Sequence, residues 1–398
     1  MDILLFGGAF DPPHKGHSGI LTAATKFKHF DKIIVMPTGT PGHKALCRAP
    51  FAVRKYLAEM AFSGLHPDIE VSGLEGESLG KSYSYITVDK LSEIYPGRKI
   101  WFVIGSDSRL SLFTWAQREH LMKSCSFLIF DRGYTDRERL SRARDSIKKL
   151  SPDTVVVRRP VIEVSSTRVR QAISTTDIGD DDVLNLLDKD VLATIKEYSL
   201  YSSDYYERNT GTARLLIKLL LREKRAAHTY NVKKLATELA LQYKEDVEKA
   251  GLAALLHDIM KQTDENTLRA RAARGDITGS AGQRPLPVLH GFAAADFAAT
   301  ELGIDDGDLL MALRSHTCGR AGMSKLEKII YLADMLCEER DFEGKDYLLS
   351  LARENLDTAM ERALCHSIEY LKNKGGEMDR ESLQALKFFT RINKGEIN

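Results

Sequence analysis

Residues 3–17 read ILLFGGAFDPPHKGH, an apolar strand followed by a Gly-rich turn, and a helical pattern begins at Ser18. Gly7 and Gly8 allow the backbone to approach a ligand closely. His14 and His17 stand at a helix N-terminus, where free N–H groups and the helix dipole favour anions. The stretch therefore predicts a strand-turn-helix unit that holds a triphosphate.

Five further apolar runs follow the first one within the N-terminal half. They are Lys32–Val35, Ile69–Val71, Ile100–Ile104, Phe127–Phe130 and Thr154–Val157. Most of them are separated by enough residues for a crossover helix, which favours an α/β fold with a doubly wound parallel sheet. Ligands of such sheets bind at the carboxyl ends of the strands.

The C-terminal half has a different pattern. The stretch from Asp180 to Tyr198 is helical in pattern, and small polar residues interrupt it at Ser199–Asp204. Beyond Tyr206 apolar residues recur every three or four positions, which is typical of helices. We therefore expect two domains, residues 1–203 with the parallel sheet and residues 204–398 all-helical. Asp276–Pro287 is rich in Gly, Ser and Pro and predicts a loop.

Composition narrows the class of protein. The 398 residues carry 57 Lys and Arg against 56 Asp and Glu, so a general nucleic-acid or anionic-membrane binder is not expected. Five scattered cysteines without a C-x-x-C pair argue against a disulfide framework or a thiolate zinc site and favour a cytoplasmic location. Neither a signal peptide nor a membrane-spanning segment is apparent. Monomer and homo-oligomer both stay open.

Four segments accompany the first histidine pair. They are Met36–Lys44, Ser82–Tyr85, Ile104–Asp107 with Trp115 downstream, and Val164–Arg170. Together with His14-Lys15-Gly16-His17, their order and spacing resemble the H-x-G-H nucleotidylyltransferase superfamily, and within it the bacterial nicotinate-mononucleotide adenylyltransferases. The resemblance covers residues 1–203. It implies a Rossmann-like fold and the reaction of ATP with nicotinate mononucleotide to give deamido-NAD and pyrophosphate.

The same resemblance implies roles for single residues. His14 and His17 contact the ATP phosphates and the charge that develops at the α-phosphorus, with Mg²⁺ on the pyrophosphate side. Arg170, together with Ser166 and Thr167, holds the adenylate and leaving phosphates. The other implied substrate contacts are Gly7, Gly8, Phe10, His43, Lys44, Tyr83, Ser84, Gly105, Asp107 and Trp115. Since the mononucleotide phosphate is already an anionic nucleophile, alignment and charge stabilisation suffice for the chemistry.

Among these contacts, His43 and Lys44 are implied to face the mononucleotide phosphate, Asp107 a ribose hydroxyl, and Trp115 the pyridine ring. Two positions depart from the family pattern. A Pro-Gly pair precedes His43, where two prolines are usual, and Ile86 stands where a carboxylate often follows the Ser-Tyr stretch. Preference for the nicotinate over the nicotinamide form, and adenylylation of a different phosphate such as phosphopantetheine, stay open.

Six potential metal ligands are spread over the helical half. They are His228, His257, Asp258, His290, His316 and Asp334. The pair His257-Asp258 ends an apolar helix, where its desolvation is costly unless something binds it. Imidazole and carboxylate together suit iron, manganese or zinc, and six ligands exceed what one tetrahedral ion uses. We therefore expect two metal ions that share Asp258 as a bridge.

The order His…His-Asp…His…His…Asp resembles the HD-domain phosphohydrolases. The segments around His257, His290 and His316–Asp334 are similar to the bacterial YqeK-type branch, which cleaves diadenosine tetraphosphate to two ADP at a di-iron site. The resemblance implies that His228, His257, Asp258 and Asp334 bind one metal and that Asp258, His290 and His316 bind the other. It makes Asp258 catalytic and offers Lys261 and Arg320 as contacts to substrate phosphates.

The sequence thus predicts a bifunctional enzyme that acts on adenosine polyphosphates in both halves. Two alternatives for the helical half stay open. It hydrolyses another nucleotide, or it is a metal-dependent nucleotide sensor that modulates the first half.

Overall fold

The computed structural model describes residues 2–41, 47–76, 80–130, 137–157, 162, 164–175, 181–275 and 284–397. The chain divides into two compact units, Met1–Ser203 and Asp204–Asn398. The first is an α/β unit and the second is helical, so the predicted fold class is confirmed.

The described part of the first unit contains eight strands: β1 (Asp2–Gly8), β2 (Lys32–Pro37), β3 (Thr40–Pro41), β4 (Ile69–Val71), β5 (Lys81–Ser82), β6 (Lys99–Gly105), β7 (Ser126–Phe130) and β8 (Val155–Val157). Its helices are α1 (Lys15–Phe27), α2 (Phe51–Phe62), α3 (Ser84–Ile94), α4 (Ser106–Ser111), α5 (Arg118–Ser124), α6 (Arg137–Leu150), α7 (Ser166–Ser174), α8 (Asp181–Leu184) and α9 (Lys189–Glu197). A 3₁₀ turn covers Leu112–Thr114.

Six strands form one parallel sheet in the order β4-β2-β1-β6-β7-β8. Alternate residues of β1 face opposite sides of it, with Ile3 and Leu5 in one buried cluster and Leu4 and Phe6 in the other. Because the chain winds outward from β1 in one direction and then from β6 in the other, the strand order reverses between these two strands. A crevice for ligands opens at such a reversal point.

All six predicted strands are present, whereas the short pair β3 and β5 gave no recognisable apolar run. The stretch predicted as helical from Asp180 to Tyr198 contains two helices, α8 and α9. The second begins because the Asp188 carboxylate accepts the N–H of Asp190 and caps it.

The second unit contains α10 (Tyr205–Leu220), α11 (Glu223–Gln242), α12 (Val247–Leu256), α13 (Glu265–Gly275), α14 (Leu289–Glu301), α15 (Gly307–Ser315), α16 (Lys325–Leu336), α17 (Lys345–Glu354), α18 (Leu356–Asn373) and α19 (Arg380–Asn393). No strand occurs in its described residues. Side-chain caps start many of these helices, for example Asp246 at α12 and Ser324 at α16. Residues 276–283 of the predicted loop lie outside the description, and a 3₁₀ turn covers Leu286–Val288. None of the described helices combines the length and the apolar character that a membrane crossing requires.

Candidate active sites

The two histidines of the first motif lie side by side at the start of α1. His14 precedes the helix and His17 is in its first turn, and their rings stack with centroids 3.7 Å apart. The backbone N–H of His14 donates to Nδ1 of His17 over 3.2 Å. The neutral His17 ring therefore carries its proton on Nε2, which makes that atom a hydrogen-bond donor. A donor at a helix N-terminus suits a phosphate oxygen.

Close packing accounts for the glycine at position 16 of the motif, and Phe10 has an unusual backbone conformation. A Cβ on Gly16 would lie 2.9 Å from the carbonyl oxygen of Ile162, so only glycine fits there. Phe10 adopts a positive φ of 48° and is buried, with its ring 5.1 Å from the ring of His17. Phe10 thus supports His17 from within the core.

Buried polar groups hold the turn between β1 and α1 in place. The guanidinium of Arg54, which is 2% exposed, donates to the carbonyls of Ala9, Gly39 and Ala49. The Ser166 hydroxyl donates to the carbonyl of Pro12 over 2.9 Å. The turn between β1 and α1 is therefore tied to two loops and to the first turn of α7.

A cavity of about 530 Å³ lies beside this turn, at the carboxyl ends of the central strands. Its walls include Gly7, Gly8, Tyr83, Ser84 and Trp115. The ring of Trp115 packs on Phe102 with centroids 6.2 Å apart. The structure thus brings together residues from four of the five sequence motifs around one space large enough for a nucleotide.

The remaining candidates of this unit are distributed as follows. Gly105 ends β6, and Thr167 and Arg170 lie on α7, where the Arg170 guanidinium contacts the Thr167 hydroxyl over 3.2 Å. Asp107 lies in α4, but its side chain is not described, and His43 and Lys44 lie outside the described residues.

Glu75 is a cavity residue that sequence reasoning missed. Its carboxylate accepts the N–H of Gly39 over 3.1 Å and the hydroxyl of Thr87 over 2.6 Å, and it borders the cavity. It links the loop after β2 to α3. No motif spacing singles it out, because its partners are 36 and 12 residues away.

The six predicted metal ligands of the second unit come together from five elements. His228 is on α11, His257 and Asp258 follow α12, His290 is on α14, His316 follows α15, and Asp334 is on α16. All four imidazoles and Asp258 are buried. Two sets of three ligand atoms lie within 4.8 Å of one another, His228 with His257 and Asp334, and His257 with Asp258 and His316.

Asp258 lies between two groups of histidines. Its Oδ2 is 3.7 Å from Nε2 of His228 and 3.5 Å from Nε2 of His257. Its Oδ1 is 3.0 Å from Nε2 of His290 and 3.8 Å from Nε2 of His316. Each oxygen therefore faces its own pair of nitrogens, which is the arrangement that a carboxylate shared by two ions requires.

The other ring nitrogen of each histidine is already engaged. Nδ1–H of His257 donates to the carbonyl of Ala254 over 2.6 Å, and His290 and His316 use the carbonyls three residues before them in the same way. Nδ1 of His228 is paired with the carboxylate of Glu339. These acceptors fix the tautomer of each ring in its neutral form, so Nε2 is the atom that can offer a lone pair to a metal ion.

The donor set fits a cation. Nε2 of His228 and Nε2 of His257 are buried and make no hydrogen bond within the described residues. Nε2 of His290 and Nε2 of His316 are 3.0 Å apart, and two lone pairs at that distance repel each other unless a cation or a proton attracts both. Buried imidazole and carboxylate donors of this kind suit transition metals such as iron, manganese or zinc.

The pKa shifts of His290, Asp258 and Asp334 agree with this reading, whereas burial of His257 is outweighed by the charge of Asp258, which raises the pKa of that ring. Burial lowers the pKa of His290 to about 4, so the ring is neutral at pH 7. Burial would raise the pKa of Asp258, but the charge of His257 and the close imidazoles of His290 and His316 outweigh it and hold the pKa well below its usual range. Burial likewise opposes the ionisation of Asp334, but the imidazole of His228, whose Nε2 is 3.0 Å from Oδ1 of Asp334, and the charge of His257 lower its pKa. Both carboxylates are therefore ionised and both can act as ligands.

The two predicted phosphate contacts are placed differently. Nζ of Lys261 is 3.2 Å from Nε2 of His290 and 4.0 Å from Asp258, at the cluster. Arg320 instead makes a two-pronged pair with the fully buried Glu327 and donates to the carbonyl of Ala321. The structure thus engages the Arg320 guanidinium in supporting the start of α16.

Three charged residues at the cluster were missed from sequence. Arg225 donates to Asp258 over 2.7 Å, Arg340 donates to Asp334 over 2.8 Å, and Glu339 pairs with His228. Arg225 lies one helical turn before His228, so helical spacing could have found it. Glu339 and Arg340 come from the loop after α16, and no sequence spacing indicates their contacts.

Comparison with known proteins gives a family for each unit. The model described as cytidylyltransferase-like matches residues 5–178, and the model of the HD domain matches residues 225–338. A probable nicotinate-nucleotide adenylyltransferase/Ap4A hydrolase of Mycoplasma pneumoniae is 26% identical over 377 residues, which are 93% of this chain and 100% of that protein.

Two relatives match single units. A symmetrical bis(5'-nucleosyl)-tetraphosphatase of Halalkalibacterium halodurans is 38% identical over 170 residues, 42% of this chain and 89% of that protein. A probable nicotinate-nucleotide adenylyltransferase of Fusobacterium nucleatum is 31% identical over 200 residues, 50% of this chain and 99% of that protein.

Fold and sites define a nucleotidylyltransferase domain followed by a metal-dependent HD domain. Both resemblances expected from the motifs are confirmed. The chain belongs to the nicotinate-nucleotide adenylyltransferase family through its first half and to the symmetrical bis(5'-nucleosyl)-tetraphosphatase family through its second.

Proposed function

We propose that this chain is a bifunctional enzyme that makes deamido-NAD from ATP and nicotinate mononucleotide in its first unit and hydrolyses diadenosine tetraphosphate to two ADP in its second. The observation that carries the proposal is the convergence of motif residues in each unit: stacked histidines beside a nucleotide-sized cavity in one, and six convergent potential ligands in the other.

In the first unit the chain's residues act by positioning and by charge. ATP enters as its Mg²⁺ complex, with its phosphates against the start of α1. Nε2–H of His17 and the guanidinium of Arg170 stabilise the charge that develops around the α-phosphorus. The mononucleotide phosphate attacks that phosphorus, and pyrophosphate leaves. The turn between β1 and α1 would hold the ATP phosphates and the segment of His43 and Lys44 the mononucleotide phosphate, so the step gains from alignment.

One part of the cavity wall offers donors to an anionic pyridine ring, and the Glu75 carboxylate on the same wall is already engaged by Gly39 and Thr87. The first turn of α3 borders the cavity, and the N–H groups and dipole of a helix N-terminus attract a carboxylate. The buried Ser82 hydroxyl, which makes no hydrogen bond in the described part of the chain, also borders the cavity and can donate to the same group. Trp115 offers its ring for stacking. These features support nicotinate rather than nicotinamide mononucleotide as the substrate.

In the second unit, His228, His257, Asp258 and Asp334 would hold one metal ion, and Asp258, His290 and His316 the other. When bound, such a pair supplies an activated water and stabilises the charge of the phosphoryl oxygens. Lys261 lies against the same ligands, and burial lowers the pKa of its ammonium group. Binding of a polyphosphate would favour the charged form of that group. Arg225 adds a second cation to this face.

Iron is the metal that we propose for this centre, as in the YqeK-type branch that the sequence resembles, with manganese or zinc as alternatives. The six proposed ligands are imidazoles and carboxylates without a thiolate, a donor set that suits all three ions. Metal analysis of protein purified without oxygen, followed by reconstitution with each ion in turn, tests this choice.

One protein sample tests both activities. Wild-type protein is given ATP and nicotinate mononucleotide with Mg²⁺, and separately diadenosine tetraphosphate with Fe²⁺ under anaerobic conditions. His17→Ala should abolish deamido-NAD formation and leave ADP release intact, and Asp258→Ala should do the reverse. Each variant is thus the folding control for the other. A wild-type protein that forms no deamido-NAD refutes the first activity, and one that leaves diadenosine tetraphosphate intact refutes the second.

A further inference from the structure

A buried carboxylate holds the phosphate-binding turn, and it belongs to Asp11. Asp11 is 4% exposed and comes three residues before His14. Its carboxylate accepts the backbone N–H groups of Arg48, over 2.7 Å, and Ala49, over 3.2 Å. The hydroxyl of Tyr201 donates to the same carboxylate over 2.9 Å. Tyr201 therefore contributes the only hydroxyl among the donors recorded for Asp11 in the described residues.

Arg170 also contacts Asp11. Its NH1 donates to the backbone carbonyl of Asp11 over 2.6 Å and is 3.8 Å from the carboxylate. One guanidinium nitrogen thus lies within reach of both acceptors, and the shorter contact is to the carbonyl. Which acceptor Arg170 uses depends on how well the other donors satisfy the carboxylate.

Tyr201 reaches Asp11 from the last segment of the first unit. The phenol is buried, and Ser199 and Tyr201 adopt the left-handed backbone region with φ of 47° and 70°. Such a conformation costs on the order of 1 kcal/mol for each residue and persists where packing holds it. The segment is therefore held by contacts such as the Tyr201–Asp11 hydrogen bond, 190 residues apart in sequence.

We propose that Tyr201 is a positioning residue for adenylyl transfer, which holds the Asp11 carboxylate so that Arg170 stays on the Asp11 carbonyl and directs its remaining N–H groups to the phosphates. The inference rests on the proposed function of the first unit. Without the hydroxyl, the carboxylate lacks a strong donor and attracts the guanidinium 3.8 Å away. The expected consequence is a misplaced Arg170 at a site that otherwise keeps its shape.

The experiment compares Tyr201→Phe with a matched control. Tyr95→Phe removes a phenol hydroxyl from a residue whose ring lies 5.7 Å from Nζ of Lys32, at the opposite, amino edge of the sheet. Deamido-NAD formation is measured against both substrates, and kcat is expressed per ATP-binding site counted by calorimetry. ADP release from diadenosine tetraphosphate reports on the second unit of the same samples.

We expect Tyr201→Phe to lower kcat about tenfold, since hydrogen bonds to charged groups contribute on that scale. The KM for the mononucleotide and the rate of ADP release should stay at wild-type values, and Tyr95→Phe should behave as wild type. In an Arg170→Ala background, Tyr201→Phe should have no further effect, because Tyr201 acts through Arg170.

Three results would overturn the inference. They are an unchanged kcat in Tyr201→Phe, a tenfold loss that persists in the Arg170→Ala background, and a Tyr201→Phe chain with no ATP-binding sites, since a general role in folding then explains the contact. A wild-type protein without adenylyltransferase activity would refute the proposed function itself, and this inference with it. The parallel wild-type assay distinguishes that case from the others.

Discussion

Replacing Gly291 by alanine should separate two predicted metal ligands while leaving the fold of the second unit intact. Gly291 lies on α14 directly after His290, where the helix passes close to the end of α15. A Cβ at this position would be 2.9 Å from the carbonyl oxygen of Leu313 and 3.1 Å from that of Arg314. It would also be 3.3 Å from Cε1 of His316.

The size of the effect follows from these distances. Ordinary contact begins at 3.4 Å, so α14 must retreat by about 0.5 Å from α15. Overpacking of this kind costs about 1–3 kcal/mol. Metal-ligand distances tolerate only about 0.2 Å, so a retreat of that size should weaken the ion held by His290 and His316 by about 10–100-fold.

The assay is the metal content per chain after equilibration at limiting Fe²⁺, with ADP release measured on the same sample. Gly251→Ala is the matched control, because it lies on α12 and its new Cβ would meet only side-chain atoms of Lys233 and Thr237 at 3.4 Å. We expect two ions in the control and a number approaching one in Gly291→Ala, with ADP release reduced and deamido-NAD formation unchanged. Two ions and full ADP release in Gly291→Ala would refute the reasoning.

Four further predictions concern single contacts or the bound metal. Glu339→Gln should lower metal affinity about tenfold, because the amide is a weaker partner for His228 than a carboxylate. Competition with a chelating dye measures this affinity, and wild-type affinity in the variant would contradict the prediction. Arg320→Ala should lower the free energy of unfolding in urea by about 3 kcal/mol, because Glu327 is left buried without its cationic partner, and the KM for diadenosine tetraphosphate should stay near the wild-type value. A raised KM with unchanged stability would instead favour a substrate contact. Trp115→Ala should raise the KM for nicotinate mononucleotide about fivefold and leave the KM for ATP unchanged, and an equal rise in both would argue against stacking. Removing metal with a chelator should lower the Tm of the second unit, measured by calorimetry, and leave the Tm of the first unit unchanged, because ligands stabilise the folded state that binds them. A shift in the Tm of the first unit would contradict this.

Much of the first unit could be predicted from local patterns. Apolar runs such as Ile100–Ile104 are long enough to identify central strands, and Gly7-Gly8 with His14 and His17 marks the phosphate site within one contiguous stretch. Glu75 and Arg54 escaped prediction because their roles consist of contacts with distant loops. The short strands β3 and β5 escaped because two paired residues leave no periodic pattern.

For the candidate metal cluster, too, local patterns could be predicted from the sequence and contacts between distant residues could not. The order of the six candidate ligands was visible in the sequence, and the pair His257-Asp258 stood out because its burial at the end of an apolar helix is costly without a partner. The prediction that Arg320 contacts substrate phosphates came from its place in a motif. The pair that Arg320 makes with Glu327 depends on the turn before α16, which the sequence did not reveal. Glu339 lies outside the predicted motif and became visible only through its contact with His228.

The support of the four imidazoles has a consequence for how this centre can change. Three of them donate hydrogen bonds to the main-chain oxygens of Ala254, Pro287 and Leu313. Substitution of a side chain does not remove those oxygens. Only the fourth depends on a side chain, that of Glu339. Among the groups that support the imidazoles, only the Glu339 side chain, in the loop after α16, can therefore be replaced by natural variation or design to change how one of the four rings is held.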